Sequence, residues 1–317
     1  MFNYKKKAAL MSALLFASGA VLADYPEKTI TLIVGFSAGG GTDVMARNIA
    51  PYVEKYLGND ASIVVKNVPG ASGQIGITEV AHSDPDGYTI GTYNLPGMMA
   101  RTLDRDTKYS ADSFTYLANI VSDPNVIVTS KKSGITNANE FIEAAKKTPK
   151  SITVGMSSLG GDDHLGLTKF QNITNTEYTI IPFKGSSGAR TAVMGGHVAA
   201  AVLNISEVAA FKDELNVIGV AQAKRSEFAP DVETFKEQGV EFYNGALRGF
   251  VAPAGLPKEV ELKLLEAFNR AANDPELLAK MKATANPVEA SIGPDFKLLN
   301  DELYKLAKQA WETTPWK

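Results

Sequence analysis

The fold class predicted for this 317-residue chain is two α/β lobes, each built on a mostly parallel sheet. Three observations predict it. Short β-branched runs alternate with helical stretches from Thr29 onward, strands end in loops of small residues, and the alternation starts afresh near Asn125 before three amphipathic helices close the chain.

The first element, Thr29 to Val34, is β-branched, apolar and stopped by Gly35, which predicts a buried strand. A loop from Gly35 to Asp43 follows, and then a helix with Val44, Ala46, Ile49 and Ala50 on its apolar face; Thr42 or Asp43 is expected to cap it. Gly39, Gly40 and Gly41 let the main chain turn sharply and approach a ligand closely. The helix N-terminus adds unpaired N–H groups and partial positive charge, so the loop is a candidate anion cradle. It has neither the dinucleotide fingerprint nor the Gly-Lys-Ser/Thr ending of a nucleotide loop. A carboxylate suits it as well as a phosphate, and a tight structural turn is the alternative.

Ser62 to Val65 is read as the second strand, Pro69 to Gly73 as a flexible turn, and Gln74 to His82 as a short helix. Pro85-Asp86-Gly87 is a turn signal before a third strand, Tyr88 to Tyr93, which delivers the loop Asn94 to Gly97. Ligands of parallel sheets bind beyond the carboxyl ends of the strands, which puts Ser37 to Asp43 and Asn94 on one rim.

The second unit repeats the pattern. Asn125 to Thr129 is a strand, Asn137 to Thr148 a helix, and Ile152 to Gly155 a strand. The loop Met156 to Asp163 then precedes a helix beginning at an aspartate cap and carrying His164, Leu167 and Phe170. Two such loops facing one another would clasp an elongated anion. Thr179 to Phe183 leads into the loop Lys184 to Ala189 and a helix from Arg190 to Met194. Val198 to Leu203, Val217 to Ala221 and Arg248 to Pro253 read as strands. The helices Pro257 to Asn273, Pro275 to Met281 and Pro294 to Glu312 are expected to pack back on the first lobe, giving two crossings between lobes.

Lys5, Lys6 and Lys7, an apolar stretch to Leu22 and small residues at Val21 and Ala23 predict a signal peptide cleaved after Ala23 and a soluble periplasmic product. Without cysteine the chain offers no lipid attachment, disulfide or thiolate metal centre. Cleavage removes three lysines and no acids, so 32 basic residues become 29 against 35 acidic ones, and the mature chain is net negative. That argues against a nucleic-acid partner and for holding an anion with local donors. The expected domains are 1–23, the leader; 24–124, the first lobe; 125–247, the second lobe; and 248–317, the return to the first lobe.

The run Ile33 to Asp43, with Pro69 to Gly73 and Asp84 to Thr89, resembles the periplasmic solute-binding proteins of tripartite tricarboxylate transporters. The likeness continues through Gly160 to His164, Phe183 to Ser186, Gly195 to Val198 and Asn244 to Pro253. It implies a two-lobed periplasmic binding protein of the type II-like, Venus-flytrap form, monomeric, that closes on a small di- or tricarboxylate and passes it to membrane permease subunits. It implies no chemistry, cofactor or metal. By position the first clamp is Phe36, Ser37, Ala38, Gly40, Gly41, Thr42 and Asp43; the second is Ser157, Ser158, Gly160, Gly161 and Asp162. Asn94, His164, Phe183, Lys184, Gly185, Ser186 and Asn204 are expected in or beside the cleft. Two positions depart from the family pattern: Gly161, where a Ser or Thr is common, and Ala200, where an aspartate is common.

Several of these residues have a second reading. Asp43 either caps its helix and fixes the loop or meets a ligand donor, and His164 begins an apolar helix face, which favours a structural role. Lys184 is the expected counter-charge in the cleft, or else faces solvent; Arg248 either ties the lobes or binds ligand. Phe36, Tyr93 and Phe183 wall the pocket or sit in the core. An exported hydrolase is the alternative function, with Ser157 or Ser158 as nucleophile, but the Gly-x-Ser-x-Gly elbow is missing.

Overall fold

The computed structural model describes residues 25–313 and Pro315; the expected leader lies outside the described residues. Its first α/β unit runs β1 Ile30–Val34, α1 Gly41–Leu57, β2 Ile63–Asn67, α2 Gln74–Ala81, β3 Thr89–Leu95 and α3 Gly97–Asp104. A 17-residue strand, β4 Phe114–Ser130, leads to α4 Ala138–Lys147, β5 Thr153–Met156, α5 Asp162–Thr174 and β6 Thr179–Pro182. Next come α6 Ser186–Gly195, β7 Ala200–Asn204, the single turn α7 Ile205–Val208 and β8 Leu215–Val220. The chain returns through β9 Gly245–Pro253 to α8 Lys258–Ala272, α9 Pro275–Ala283, β10 Val288–Ile292 and α10 Pro294–Thr313.

The strand order is β2-β1-β3-β9-β4-β7-β5-β6, with β8 and β10 also paired to β4. β1, β2 and β3 are parallel, as are β5, β6 and β7, whereas β4 and β9 run antiparallel to their neighbours. β4 belongs to both lobes. Phe114 to Pro124 pair with β9, and Asn125 to Ser130 pair with β7 and β8. One core gathers Ile30, Leu32, Met45, Ile49, Val260, Leu264, Phe268 and Leu277, so α8 and α9 cover the β1 side of the sheet. Another gathers Phe141, Phe170, Val202, Phe235 and Phe242 in the second lobe.

Several local expectations are corrected. Asn94 and Leu95 belong to β3 rather than to a loop, because they pair with Arg248 and Leu247 of β9. The segment Gly97 to Asp104 is helical and β10 is an additional strand. Helix α6 starts four residues before Arg190, and β9 starts at Gly245. The capping assignments also change. α1 is capped by Gly40 and α5 by Gly161, neither with a side-chain bond, so Thr42, Asp43 and the aspartates of α5 are not the caps.

Candidate functional site

Between the lobes lies a cavity of about 40 Å³. The loop after β1 supplies Phe36, Ser37, Gly40, Gly41 and Thr42, and the end of β3 supplies Asn94. The second lobe supplies Ser157, Ser158, Gly161 and Asp162 before and at the start of α5, Gly185 and Ser186 at the start of α6, and Asn204 at the end of β7. Gly97, Arg101, Ser187, Glu207, Ala246 and Arg248 complete the lining.

Four helices of eight residues or more, α1, α3, α5 and α6, begin at this cavity without a side-chain cap hydrogen bond, and the single turn α7 begins there at Asn204 with a capping box from Glu207. Away from the cavity, α4 and α9 are capped by Asn137 and Asp274, whereas α2 and α8 start without a side-chain cap. Leaving glycine at the caps of α1, α5 and α6 keeps first-turn N–H groups open to a bound anion. Gly161 thus lacks a hydroxyl that would itself have occupied one of those donors.

The lobes are closed over the cavity. Ser37 Oγ donates to the Lys184 carbonyl at 3.0 Å, and Arg101 Nη2 donates to Ser158 Oγ at 3.0 Å. A Cβ built on Gly41 would stand 2.8 Å from Arg248 Cζ, so only glycine admits the guanidinium there. Arg248 is buried, paired with Asp123 and with Glu207 at 3.3 Å, and donates to Asn204 Oδ1 at 3.0 Å. Burial pushes the Asp123 carboxyl up to about 6 against the opposing pull of Arg248 and Ser206. Burial disfavours the Arg248 cation, but Asp123, Glu207 and Asp162 outweigh it and raise its pKa.

Six expected site residues are not in the lining. Ala38 is exposed. Asp43 faces its own loop: it accepts from Gly39 N–H at 2.9 Å, Arg47 Nε at 3.0 Å and Asn67 Nδ2 at 2.8 Å, and these bonds outweigh burial to keep its pKa low. Gly160, at φ +73°, donates at 3.1 Å to His164 Nδ1, whose ring burial makes harder to protonate. Phe183 packs against the second-lobe core. Tyr93, which reads as either pocket wall or core, is core, fully buried among Phe114, Tyr116 and Phe296. Lys184 is the clearest correction, for its side chain is exposed and only its carbonyl takes part, because Gly185 at φ +127° turns the chain. The cations that do reach the cavity are Arg101 and Arg248. Arg101 is a residue that sequence reasoning missed; its signal is an arginine inside the apolar run Gly97-Met98-Met99-Ala100. Ser158 Oγ is bonded to Arg101 and His164 Nδ1 to a backbone N–H, so neither is arranged as a nucleophile with its base.

Two lobes on crossing strands, closed over a donor-lined cavity, define a periplasmic binding protein. The comparisons with known proteins agree. Residues 45–309 match the model of the tripartite tricarboxylate transporter family receptor, and the chain belongs to that family. It is 30% identical to the Bordetella pertussis protein BugT over 91% of this chain and 90% of that one. Its fold is similar to that of the periplasmic binding protein BugD, with a TM-score of 0.85 and 27% identity over 91% of this chain and 98% of that one. An R. palustris protein solved with adipate matches with a TM-score of 0.84 and 26% identity over 92% and 98%. The chain is therefore a periplasmic solute receptor that binds a small organic acid by lobe closure. Among the described residues no helix is long and apolar enough to cross a membrane.

Proposed function

We propose that this receptor takes a small organic carboxylate and presents it, as a monomer, to the permease subunits of a tripartite tricarboxylate transporter. The observation that carries the reading is the meeting of four uncapped helix starts with the buried guanidinium of Arg101, which has no ion pair among the described residues, in one cavity. Backbone N–H groups, helix dipoles and guanidinium forks all favour a carboxylate, and closure strengthens them by removing water. The R. palustris structure with adipate supports the ligand class.

In this reading the two clamps are Phe36 to Thr42 and Ser157 to Asp162, with Asn94, Gly185, Ser186 and Asn204 between them. The expected divisions after residues 124 and 247 fall within β4 and β9, the two strands nearest the crossings. The test is a thermal-shift screen of mature protein against organic acids, since a ligand of the folded state raises its melting temperature. X-ray scattering then follows the best ligand. A melting shift accompanied by a smaller radius of gyration is expected. No response to any acid would refute the ligand class, and a shift in a protein whose Gly41 and Gly161 both tolerate valine without loss of affinity would refute the clamps.

A further inference from the structure

The charges around the cavity are unevenly matched, and this deepens the carboxylate-receptor reading, on which it rests. Arg248 faces three carboxylates: Asp123 and Glu207 as ion pairs, and Asp162 close enough to act on it electrostatically. One cation against three anions leaves that end of the cavity net negative. Asp162 Oδ2 accepts from Asn125 and Asn204 at 2.9 and 3.1 Å, so amide donors rather than a cation hold it. Beside them Asn94, which pairs with Arg248 across β3 and β9, gives its amide nitrogen to Thr42 Oγ1 at 2.7 Å and leaves its buried Oδ1 without a donor.

Arg101 presents the opposite case. It is 1% exposed, its Nη2 meets the neutral Ser158 hydroxyl, its Nε has no partner, and it forms no ion pair among the described residues. The nearest carboxylates are committed elsewhere. Asp104 is gripped by Arg105 at 2.6 and 2.7 Å, and Asp163 accepts the Ser157 and His164 N–H groups. A buried guanidinium with no counter-ion is an incomplete pair, and an anion arriving with the ligand completes it.

We infer that the ligand carries one carboxylate, seated on Arg101 and the adjacent helix starts, and a second end that donates hydrogen bonds to Asn94 Oδ1 and to the Glu207 and Asp162 carboxylates. That end is a carboxamide, hydroxyl or ammonium group. A second carboxylate would be placed against the Asp162 and Glu207 carboxylates of the lining, with a single, already paired arginine to receive it.

The test compares matched pairs by titration calorimetry: succinate with succinamate, glutarate with glutaramate, and adipate with adipamate, reading the chain length that gives the largest melting shift. The monoamide should bind at least tenfold tighter than its diacid. Glu207→Gln, which removes one negative charge, should narrow that preference severalfold, and Arg101→Met should weaken both members at least a hundredfold while circular dichroism shows an unchanged fold. Equal or tighter binding of the diacid by the wild-type protein overturns the inference whether or not either variant folds, as does unchanged affinity in folded Arg101→Met. Failure of every acid and monoamide to bind would instead overturn the receptor reading itself.

Discussion

Gly41→Ala adds one methyl group at the most crowded point of the cleft. Its Cβ would lie 2.8 Å from Cζ and Nη2 of Arg248 and 2.9 Å from Nη1, where ordinary carbon contacts begin near 3.5 Å. The guanidinium must retreat by more than half an ångström. It is held on its far side by Asp123, Glu207, Asn204 and Ser206. Overpacking of this kind costs about 1–3 kcal/mol, and full loss of the buried pair about 3–5 kcal/mol. Against this, alanine is a better helix former than glycine and restricts the unfolded chain, together by up to about 1 kcal/mol. The net expectation is a destabilisation of about 1–3 kcal/mol in urea unfolding followed by circular dichroism, with weaker binding of the acid. Gly40→Ala is the internal comparison: its Cβ would meet Ser186 Oγ and the Ser37 carbonyl at 3.5 Å, an ordinary contact, so stability should change little. A Gly41→Ala protein as stable as the Gly40→Ala protein would refute the wedge between Gly41 and Arg248.

Closure should loosen in Ser37→Ala, which removes the bond to the Lys184 carbonyl, worth about 0.5–1.5 kcal/mol; the ligand-free protein should then show a larger radius of gyration by scattering, and an unchanged radius would count against that bond as a latch. Asp123 has its carboxyl raised from 3.8 to about 6, so the folded state holds the extra proton between those values and stability from this group falls as pH rises through them, by about 3 kcal/mol. Subtracting the Asp123→Asn stability curve from that of the wild type should expose this slope, and parallel curves would contradict it. Asp274 caps α9 and accepts from Lys55 Nζ at 2.8 Å and Tyr56 Oη at 2.6 Å, bonds that hold its carboxyl well below the usual range. Its contribution is present above that range and disappears as pH falls. Asp274→Ala should therefore melt lower at neutral pH, whereas Asp274→Asn, which can still cap the helix, should recover part of the difference.

The strands and most helices were legible because their signals are local. Ile30 to Val34 and Val126 to Thr129 are β-branched runs, and Asn137 caps α4 with its own side chain. What escaped depends on distant partners. Asn94 reads as a loop residue until β9, more than 150 positions later, pairs with it. A run of three glycines announces close approach, but only packing distinguishes Gly41, pressed on Arg248, from Gly39, with open space around it. Lys184 drew attention because glycine and serine follow it, yet a lysine stem in a tight turn most readily points outward. Arg101 lies in an eight-residue helix whose composition reads as core; nothing local says that its guanidinium bridges to Ser158 of the other lobe.

The place of β9 in the sheet has a consequence for how the molecule assembles. β3 and β4 are not neighbours; β9 lies between them, and it is made only after the whole second lobe. Until Gly245 to Pro253 arrives, both strands present unpaired edges and the first core lacks Phe250, Val260, Leu264 and Phe268. The second lobe can close its own core earlier, whereas the first must wait for a contact that spans roughly half the chain, the kind of non-local pairing that folds slowly. The strand that seals the first lobe's sheet is thus among the last to leave the ribosome.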